Sequence, residues 1–201
     1  QVRIAPNRVG PQGLLQPIAD GIKLFFKEDM TVSHAQRFYF TLAPVISLVS
    51  VLVCFAVVPM SERFYVADIS LAVLYVMAFS SLGVYGVLLG GWSSGNKYSL
   101  LGGMRGAAQM ISYEIPLALS LVGVVVLAGS LSLTDIVKAQ VGLWFIVKQP
   151  LGFLIFVVAL SAETNRTPFD LLECENELVA GYQTEYSSMK FGLFYMAEYA
   201  H

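Results

Sequence analysis

Carboxylic acids are concentrated in segment 162–190, where six of them lie close together: Glu163, Asp170, Glu173, Glu175, Glu177 and Glu185. Burial and neighbouring carboxylates both raise a carboxyl pKa, so that some of these acids would exchange protons near neutral pH. A proton relay requires groups of this kind. The alternative is a solvated loop, but apolar residues are threaded through the segment, which indicates that much of it packs.

A helix start is predicted inside this acidic segment. Thr167 suits the N-cap, Pro168 the first helical position and Asp170 the reciprocal capping position. A short helix beginning there would place Asp170, Glu173 and Glu177 on one face. Asp170 therefore has two interpretations, as a cap or as a relay group, whereas Glu173 and Glu177 are candidates for proton transfer.

Glu114 is a single acid within an apolar stretch, between Ile111 and Ile115. Because a charged carboxylate inside a membrane span is costly, Glu114 is expected to face the bundle interior or a water cavity and to serve function. The alternative is a structural acid that is hydrogen-bonded to Ser112, Tyr113 or another helix. The same argument applies, with less force, to Glu198 near the C-terminal end of the chain.

Long uncharged stretches predict the elements that position these acids, and they cover residues 38–60 and 69–96. Only 13% of the residues are charged, against about 25% in an average soluble domain, and the mean hydropathy is +0.67. About 20 apolar residues cross the hydrocarbon core as a helix. The sequence thus predicts an all-α, polytopic membrane helix bundle, a single domain over residues 1–201. It has four complete spans and the start of a fifth: 38–58, 69–90, 105–127, 143–161 and from about 190 onward.

An amphipathic helix at the membrane interface is predicted before the first span. Its apolar residues fall at helical spacing: Leu14, Leu15, Ile18, Ile22, Phe25 and Phe26. Most of the basic residues fall on one side of an alternating path: Arg3, Arg8, Lys23, Lys27, Arg37, Lys97, Arg105, Arg166 and Lys190. That face is predicted to be cytoplasmic in a bacterial inner (plasma) membrane, or to face the matrix in a mitochondrial inner membrane.

No cofactor or metal site of the chain's own is predicted. The histidines, His34 and His201, and the cysteines, Cys54 and Cys174, show no metal-ligand spacing. The glycine pairs at 90–91 and 102–103 are interpreted as helix ends and tight loops, not as a phosphate-binding motif. Any electron transfer must therefore come from a partner. Lipid is an expected partner and nucleic acid is not.

Three motifs carry a resemblance to a known family. They are APNRVGPQGLLQPIADGIKLFFKED at 5–29, GWSSGNKYSLLGGMRGAAQMISYEIPLAL at 91–119 and AETNRTPFDLLECENELVAGYQTEYSSMKFGLFYMAEYA at 162–200. In this order, and with apolar spans between them, the motifs resemble the H subunit of the proton-pumping NADH:quinone oxidoreductase, respiratory complex I. The resemblance covers nearly the whole chain.

The resemblance implies a protein that joins the membrane arm to the peripheral arm and is not catalytic alone. It would form the entrance and wall of the quinone tunnel and the first acidic part of the proton path. Quinone is the implied substrate, and FMN and iron–sulfur clusters belong to peripheral partner subunits; small membrane-arm subunits are the other partners. The implied quinone-site residues are Arg3, Asp20, Lys23, Glu28, Arg166, Phe191, Phe194 and Tyr195. The implied proton path comprises Glu114, Glu163, Asp170, Glu173, Glu177, Glu185 and Glu198.

The chain also differs from the family, which has one more span before Gln1 and further spans after His201. A partial sequence is therefore expected. Three alternatives stay open: the membrane subunit of a related membrane-bound hydrogenase, a stand-alone secondary transporter, and a structural anchor for peripheral proteins. The transporter is disfavoured because the sequence shows no internal repeat.

Overall fold

The computed structural model describes residues 6, 8–60, 66–166, 168–172 and 178–201. Within these residues every regular element is helical, which confirms the all-α prediction. The helices are α1 (Gln16–Phe26), α2 (Arg37–Phe55), α3 (Ala72–Ser93), α4 (Lys97–Ala128), α5 (Leu133–Lys138), α6 (Phe145–Lys148), α7 (Pro150–Glu163) and α8 (Ser188–Ala200). Short 3-10 turns lie at Pro11–Gly13 and Gly181–Gln183.

Three of the described helices, α2, α3 and α4, are long and apolar enough to cross a membrane. Helix α3 packs against α2 on one side and α4 on the other, while α7 packs against α4 and α8 against α2. The turn Gly181–Gln183 fits against α3 and α4. This arrangement brings α8 and the end of α7 to the same part of the bundle, where the predicted acids lie.

Helix α4 begins at Lys97 and not near residue 105, because Asn96 caps it. The Asn96 side chain accepts a hydrogen bond from the Tyr98 backbone N–H at 3.0 Å, and this is the capping interaction that Asn favours. The pair 102–103 consequently lies within α4, so its interpretation as a helix end or tight loop is wrong, whereas the pair 90–91 lies in the last turn of α3 and does mark a helix end. Gly91 and Gly103 also let these two helices approach closely.

The fourth predicted span is divided at Gln149. The Gln149 backbone has φ −135° and ψ 66°, and Pro150 is the first residue of α7. A proline has no N–H to donate to the preceding turn, so the helix restarts there. With 14 residues, α7 is about 21 Å long, less than the ~30 Å hydrocarbon core. It crosses the core only together with the single turn of α6.

The predicted helix start in the acidic segment is wrong. Residues 168–172 form turns and irregular backbone, so no helix starts at Pro168; Thr167 and residues 173–177 lie outside the described residues. Contacts with α4 explain the difference. The Phe169 ring packs on Tyr113 with centroids 5.2 Å apart, and the Phe169 carbonyl accepts a hydrogen bond from Gln109 Nε2 at 2.8 Å. Helix α4 thus occupies the Phe169 carbonyl, which would accept a hydrogen bond within the helix if this segment were helical.

Helix α1 has the predicted amphipathic character, but its apolar face is not buried in the bundle. Ile18, Ile22 and Phe25 are all more than half exposed. Its opposite side approaches α8, where Leu24 contacts Gly192. An exposed apolar face is what a helix in the membrane interface presents.

The buried core lies between α2, α3, α4, α8 and the turn at 181–183. It consists of Phe40, Ala43, Val84, Val87, Ala107, Met110, Leu172, Tyr182, Tyr186 and Phe194. Phe40 stacks on Tyr186 at 4.0 Å between ring centroids. Phe194 meets Tyr182 and Tyr186 edge-on at 5.0 and 4.9 Å. This aromatic cluster fixes segment 178–187 and α8 against the spans.

Candidate functional site

A small cavity of about 40 Å³ lies where α2, α3, α4, α7 and α8 meet. Three residues predicted from the sequence line it: Glu163, Phe194 and Glu198. Asn165 and Tyr182 supply further polar groups to its wall. Since one water needs roughly 10–15 Å³ and a polar surrounding, the cavity has room for water.

Glu163 is the most deeply buried acid of the predicted path within the described residues. It is the last residue of α7 and is 3% exposed. Its Oε2 has no hydrogen-bond partner among the described residues. The chain turns away directly after it, because Asn165 takes a left-handed conformation with φ 50°. Glu163 therefore lines the cavity and keeps one buried acceptor without a partner among the described residues.

Glu114 lies on α4 near the end of α7, and its function stays a prediction. It is half-buried, and its carboxyl group is close enough to that of Glu163 for the two charges to repel each other. Ser112 donates its hydroxyl hydrogen to the Ala108 carbonyl. Because of this repulsion, a negative charge on Glu114 disfavours a negative charge on Glu163.

His201 joins this group, although sequence reasoning gave it no role. Both of its ring nitrogens are buried and have no hydrogen-bond partner among the described residues. It lines the cavity together with Glu163 and Glu198. The helical spacing of Glu198 and His201 was the available signal, since residues three apart share a face.

A second, larger and mainly apolar cavity of about 490 Å³ adjoins the first at Glu163 and His201. Its other lining residues include Val73, Met77, Leu117, Leu121, Phe156 and Leu160. Its volume lies within the range of small-molecule sites. Glu163 and His201 thus border both cavities.

Three of the predicted quinone-site residues, Phe191, Tyr195 and Arg166, lie on α8 or next to it. Phe191 and Tyr195 stack along α8 with centroids 4.7 Å apart, and Tyr195 stacks on Tyr199 at 5.9 Å. The Arg166 guanidinium lies over the Tyr199 ring at 4.8 Å. Phe194 lies on another side of α8, is 1% exposed and packs in the core.

Helix α1 is fastened to the start of α8 by polar contacts. The Ser188 hydroxyl reaches the carbonyls of Leu24 and Lys27 at 3.1 and 2.8 Å. Lys190 Nζ lies 3.0 Å from Asp29 Oδ2 and 5.3 Å from the centre of the Phe40 ring. Glu28 lies at this junction, where its carbonyl oxygen is 3.5 Å from Ser187 Oγ, while Asp20 and Lys23 are exposed residues of α1.

The remaining predicted residues are not assembled into either group. Glu185 accepts a hydrogen bond from Asn96 Nδ2 at 2.6 Å, at the N-terminal end of α4. Asp170 is half-buried in the irregular segment. Arg3, Glu173, Glu175 and Glu177 lie outside the described residues.

Tyr186 is a buried hydroxyl beside the aromatic cluster, and it is not suited to proton exchange near pH 7. Burial raises its pKa to about 12, although hydrogen bonds with Ser93 and Ser94 act in the opposite direction. Its oxygen lies 3.4 Å from Ser93 Oγ. The phenol is therefore neutral over the physiological range and contributes packing and a hydrogen bond.

No group of three or more His, Cys, Asp or Glu side chains in the described part of the chain could hold a metal ion. The small cavity lined by Glu163 and Glu198 is called the acid-lined cavity below. Its carboxyl groups can bind and transfer protons.

Comparison with known proteins places the chain among respiratory membrane subunits. Residues 1–201 match a family model described as NADH dehydrogenase. The chain is 56% identical over 200 residues to the NADH-quinone oxidoreductase H subunit of Dehalococcoides mccartyi, 54% over 200 residues to that of Magnetococcus marinus, and 52% over 201 residues to that of Brevibacillus brevis. Each alignment covers 100% of this chain but only 56, 58 and 60% of the respective relative. The chain thus spans less than two thirds of the length of these relatives.

Proposed function

Because the chain belongs to the NADH dehydrogenase family, we propose that it is a large part of the H subunit in the membrane arm of a proton-translocating NADH:quinone oxidoreductase. In this role it forms the entrance and wall of a quinone tunnel and the first acidic part of the proton path. FMN and iron–sulfur clusters in peripheral partner subunits supply the electrons. The membrane is a bacterial plasma membrane or a mitochondrial inner membrane.

The observation that carries the proton-path proposal is the burial of Glu163. An acid inside a membrane bundle is costly and is retained where it serves transport. Glu163 lines the small cavity with Glu198 and His201 and interacts electrostatically with Glu114 on α4. A proton taken up at Glu163 can thus affect acids on both α4 and α8.

The surface between α1 and α8 supports the proposal of a quinone entrance. Quinones are apolar rings with polar oxygens, and they reach a protein from the lipid. Phe191, Tyr195 and Tyr199 form an aromatic strip on α8, with Arg166 at its end. Helix α1 lies against α8 through Leu24, on the side opposite its exposed apolar face. This surface combines the apolar area and the polar groups that such a ligand requires.

We expect Glu114→Gln to lower NADH:quinone reductase activity about tenfold or more and to reduce the proton gradient in membrane vesicles. The amide keeps the size of the side chain but cannot release a proton at this point of the path. The control is Asp68→Asn, an exposed acid before α3. Normal turnover and a normal gradient in assembled Glu114→Gln complex would exclude Glu114 from the path.

A second expectation concerns the contact of α1 with α8. Lys190→Met removes the ion pair with Asp29 and the cation–π contact with Phe40, which together contribute about 1–2 kcal/mol. Amide hydrogen exchange in Gln16–Phe26 should then become about tenfold faster. Lys97→Met, which changes an exposed lysine at the start of α4, is the control. Unchanged exchange in α1 would show that Lys190 does not hold it.

Purification in mild detergent distinguishes the proposed complex from the related membrane-bound hydrogenase. The proposal predicts flavin-containing and iron–sulfur partner subunits that oxidise NADH. Co-purification with a nickel–iron hydrogenase would refute it.

A further inference from the structure

The Asn96 side chain connects two parts of the chain, because both ends of its amide are used. Its Oδ1 accepts a hydrogen bond from the Tyr98 backbone N–H at 3.0 Å and so caps α4. Its Nδ2 donates to Glu185 Oε1 at 2.6 Å. These contacts settle the orientation of the amide, because a rotated amide would place its oxygen against the carboxylate. One half-buried side chain therefore joins the first turn of α4 to Glu185.

The backbone on both sides of Glu185 is held by other contacts. Before it, the turn Gly181–Gln183 packs against α3 and α4. After it, the Tyr186 ring stacks on Phe40 of α2, and Ser187 Oγ accepts a backbone N–H of the segment after α1 at 3.0 Å. The place of the Glu185 backbone is thus set by three helices and by the segment after α1.

The Glu185 carboxyl group needs a contact of its own, because several rotatable bonds separate it from this backbone. Within the described residues no side chain other than Asn96 donates a hydrogen bond to it. An amide N–H that donates to an ionised carboxylate forms a stronger bond than one between neutral groups. The cap of α4 holds the Asn96 amide in advance, so its donor stands in a fixed position.

We propose that Asn96 is a positioning residue for Glu185: its amide oxygen caps α4, and its amide nitrogen thereby holds the Glu185 carboxylate where it takes part in proton transfer. This inference rests on the proposed function, since Glu185 belongs to the proposed proton path.

The cap and the bond to Glu185 can be separated by one substitution. Asp is as good an N-cap as Asn and has nearly the same shape, but it has no N–H to donate. Asn96→Asp therefore keeps the cap of α4 and places a second carboxylate against that of Glu185, where like charges repel each other.

The test measures assembly and quinone reduction of the complete complex with Asn96→Asp. We expect normal assembly and a rate about tenfold lower, because the Glu185 carboxylate is displaced from its position. Gln36→Glu is the matched control, since it adds the same charge at the exposed N-cap of α2, where the Gln36 side chain caps nothing. The Gln36 backbone N–H donates to the Ser93 carbonyl, so this N-cap lies at the same end of the bundle. The control should keep the wild-type rate.

A double-mutant cycle shows whether Asn96 acts through Glu185. Glu185→Gln alone removes the acid and should lower the rate. Addition of Asn96→Asp to Glu185→Gln should cause no further loss, because the new amide donates to the new carboxylate and the bond is restored with donor and acceptor exchanged. An Asn96 that served only the packing of α4 would give the same loss in both backgrounds.

Three results would overturn the inference: a wild-type rate in assembled Asn96→Asp complex, an equal loss in Gln36→Glu, or an equal further loss when Asn96→Asp is added to Glu185→Gln. If Asn96→Asp does not assemble, assembly of the double variant supports the inference, and its failure refutes it. Wild-type activity of Glu185→Gln would instead exclude Glu185 from the proton path and so refute the proposed function at this residue.

Discussion

Replacement of Glu163 by Gln is expected to lower the NADH:quinone reductase rate about a hundredfold, while the complex still assembles. Glu163 is almost fully buried, lines the acid-lined cavity and has an oxygen without a hydrogen-bond partner among the described residues. Acid–base groups of this kind contribute roughly 10²–10⁴ to a rate. The amide preserves volume and polarity, so packing at the end of α7 should survive.

The measurement compares quinone reduction and proton pumping in vesicles with electron transfer from NADH to an artificial acceptor that reacts at the flavin. The flavin reaction should be unchanged, because it does not involve this chain. Glu163→Asp keeps a carboxyl group but moves it toward the backbone, because Asp is one methylene shorter. This variant should therefore restore part of the activity. Asp135→Asn is a control, since Asp135 is exposed and lies in α5. Wild-type quinone reduction in Glu163→Gln would contradict the assignment.

The second large effect is expected from Gly102→Ala, which should prevent stable assembly of the complex. A Cβ atom at Gly102 would lie 2.8 Å from both the Gly181 Cα and the Tyr182 backbone nitrogen. Backbone atoms cannot rotate away as a flexible side chain can, so the turn Gly181–Gln183 must move. Overpacking of this kind costs typically about 1–3 kcal/mol or more. The displaced turn also carries Tyr182, which lines the acid-lined cavity and packs on Phe194.

The amount of assembled complex on a native gel, together with its quinone reductase activity, tests this expectation. Gly83→Ala in α3 is the matched control, because its nearest neighbour is Ser50 Oγ at 3.6 Å, an ordinary contact. Full assembly and activity of Gly102→Ala would show that the approach of this turn to α4 is looser than the structure indicates.

The spans were predictable from the sequence where one physical effect dominates. The uncharged stretches correctly identified α2 and α3, since lipid requires apolar helices of that length. The spacing of apolar residues identified α1, because an amphipathic helix places its apolar side chains on one face. Glu114 could be singled out because an acid inside an apolar stretch is costly, whereas Glu163 was predicted as one of the acids of segment 162–190 and from the family resemblance.

Long-range contacts decided the rest, and a single sequence does not report them. The Thr167–Asp170 pattern favours a helix locally, but Gln109 and Tyr113 on α4 bind Phe169 and give an irregular segment instead. The Gly102–Gly103 pair is typical of a loop in sequence. Both residues nevertheless lie within α4, where they let the backbone of neighbouring segments approach closely.

Gln109 was not predicted from the sequence. Its side chain is uncharged, so placing it inside a span has no free-energy cost comparable to that of the Glu114 carboxylate. His201 was missed because a single histidine shows no ligand spacing. Only the fold shows that both side chains have buried atoms without a partner among the described residues, as Glu163 does.

The central claim is that Glu163 changes its protonation when quinone is reduced, and infrared difference spectroscopy of the complex tests it most directly. Reduced-minus-oxidised spectra of the wild type should show a carboxylic C=O band that is absent in Glu163→Gln and retained in Asp135→Asn. A carboxyl signal of unchanged size and position in Glu163→Gln would contradict the claim and would place the redox-linked proton on another group.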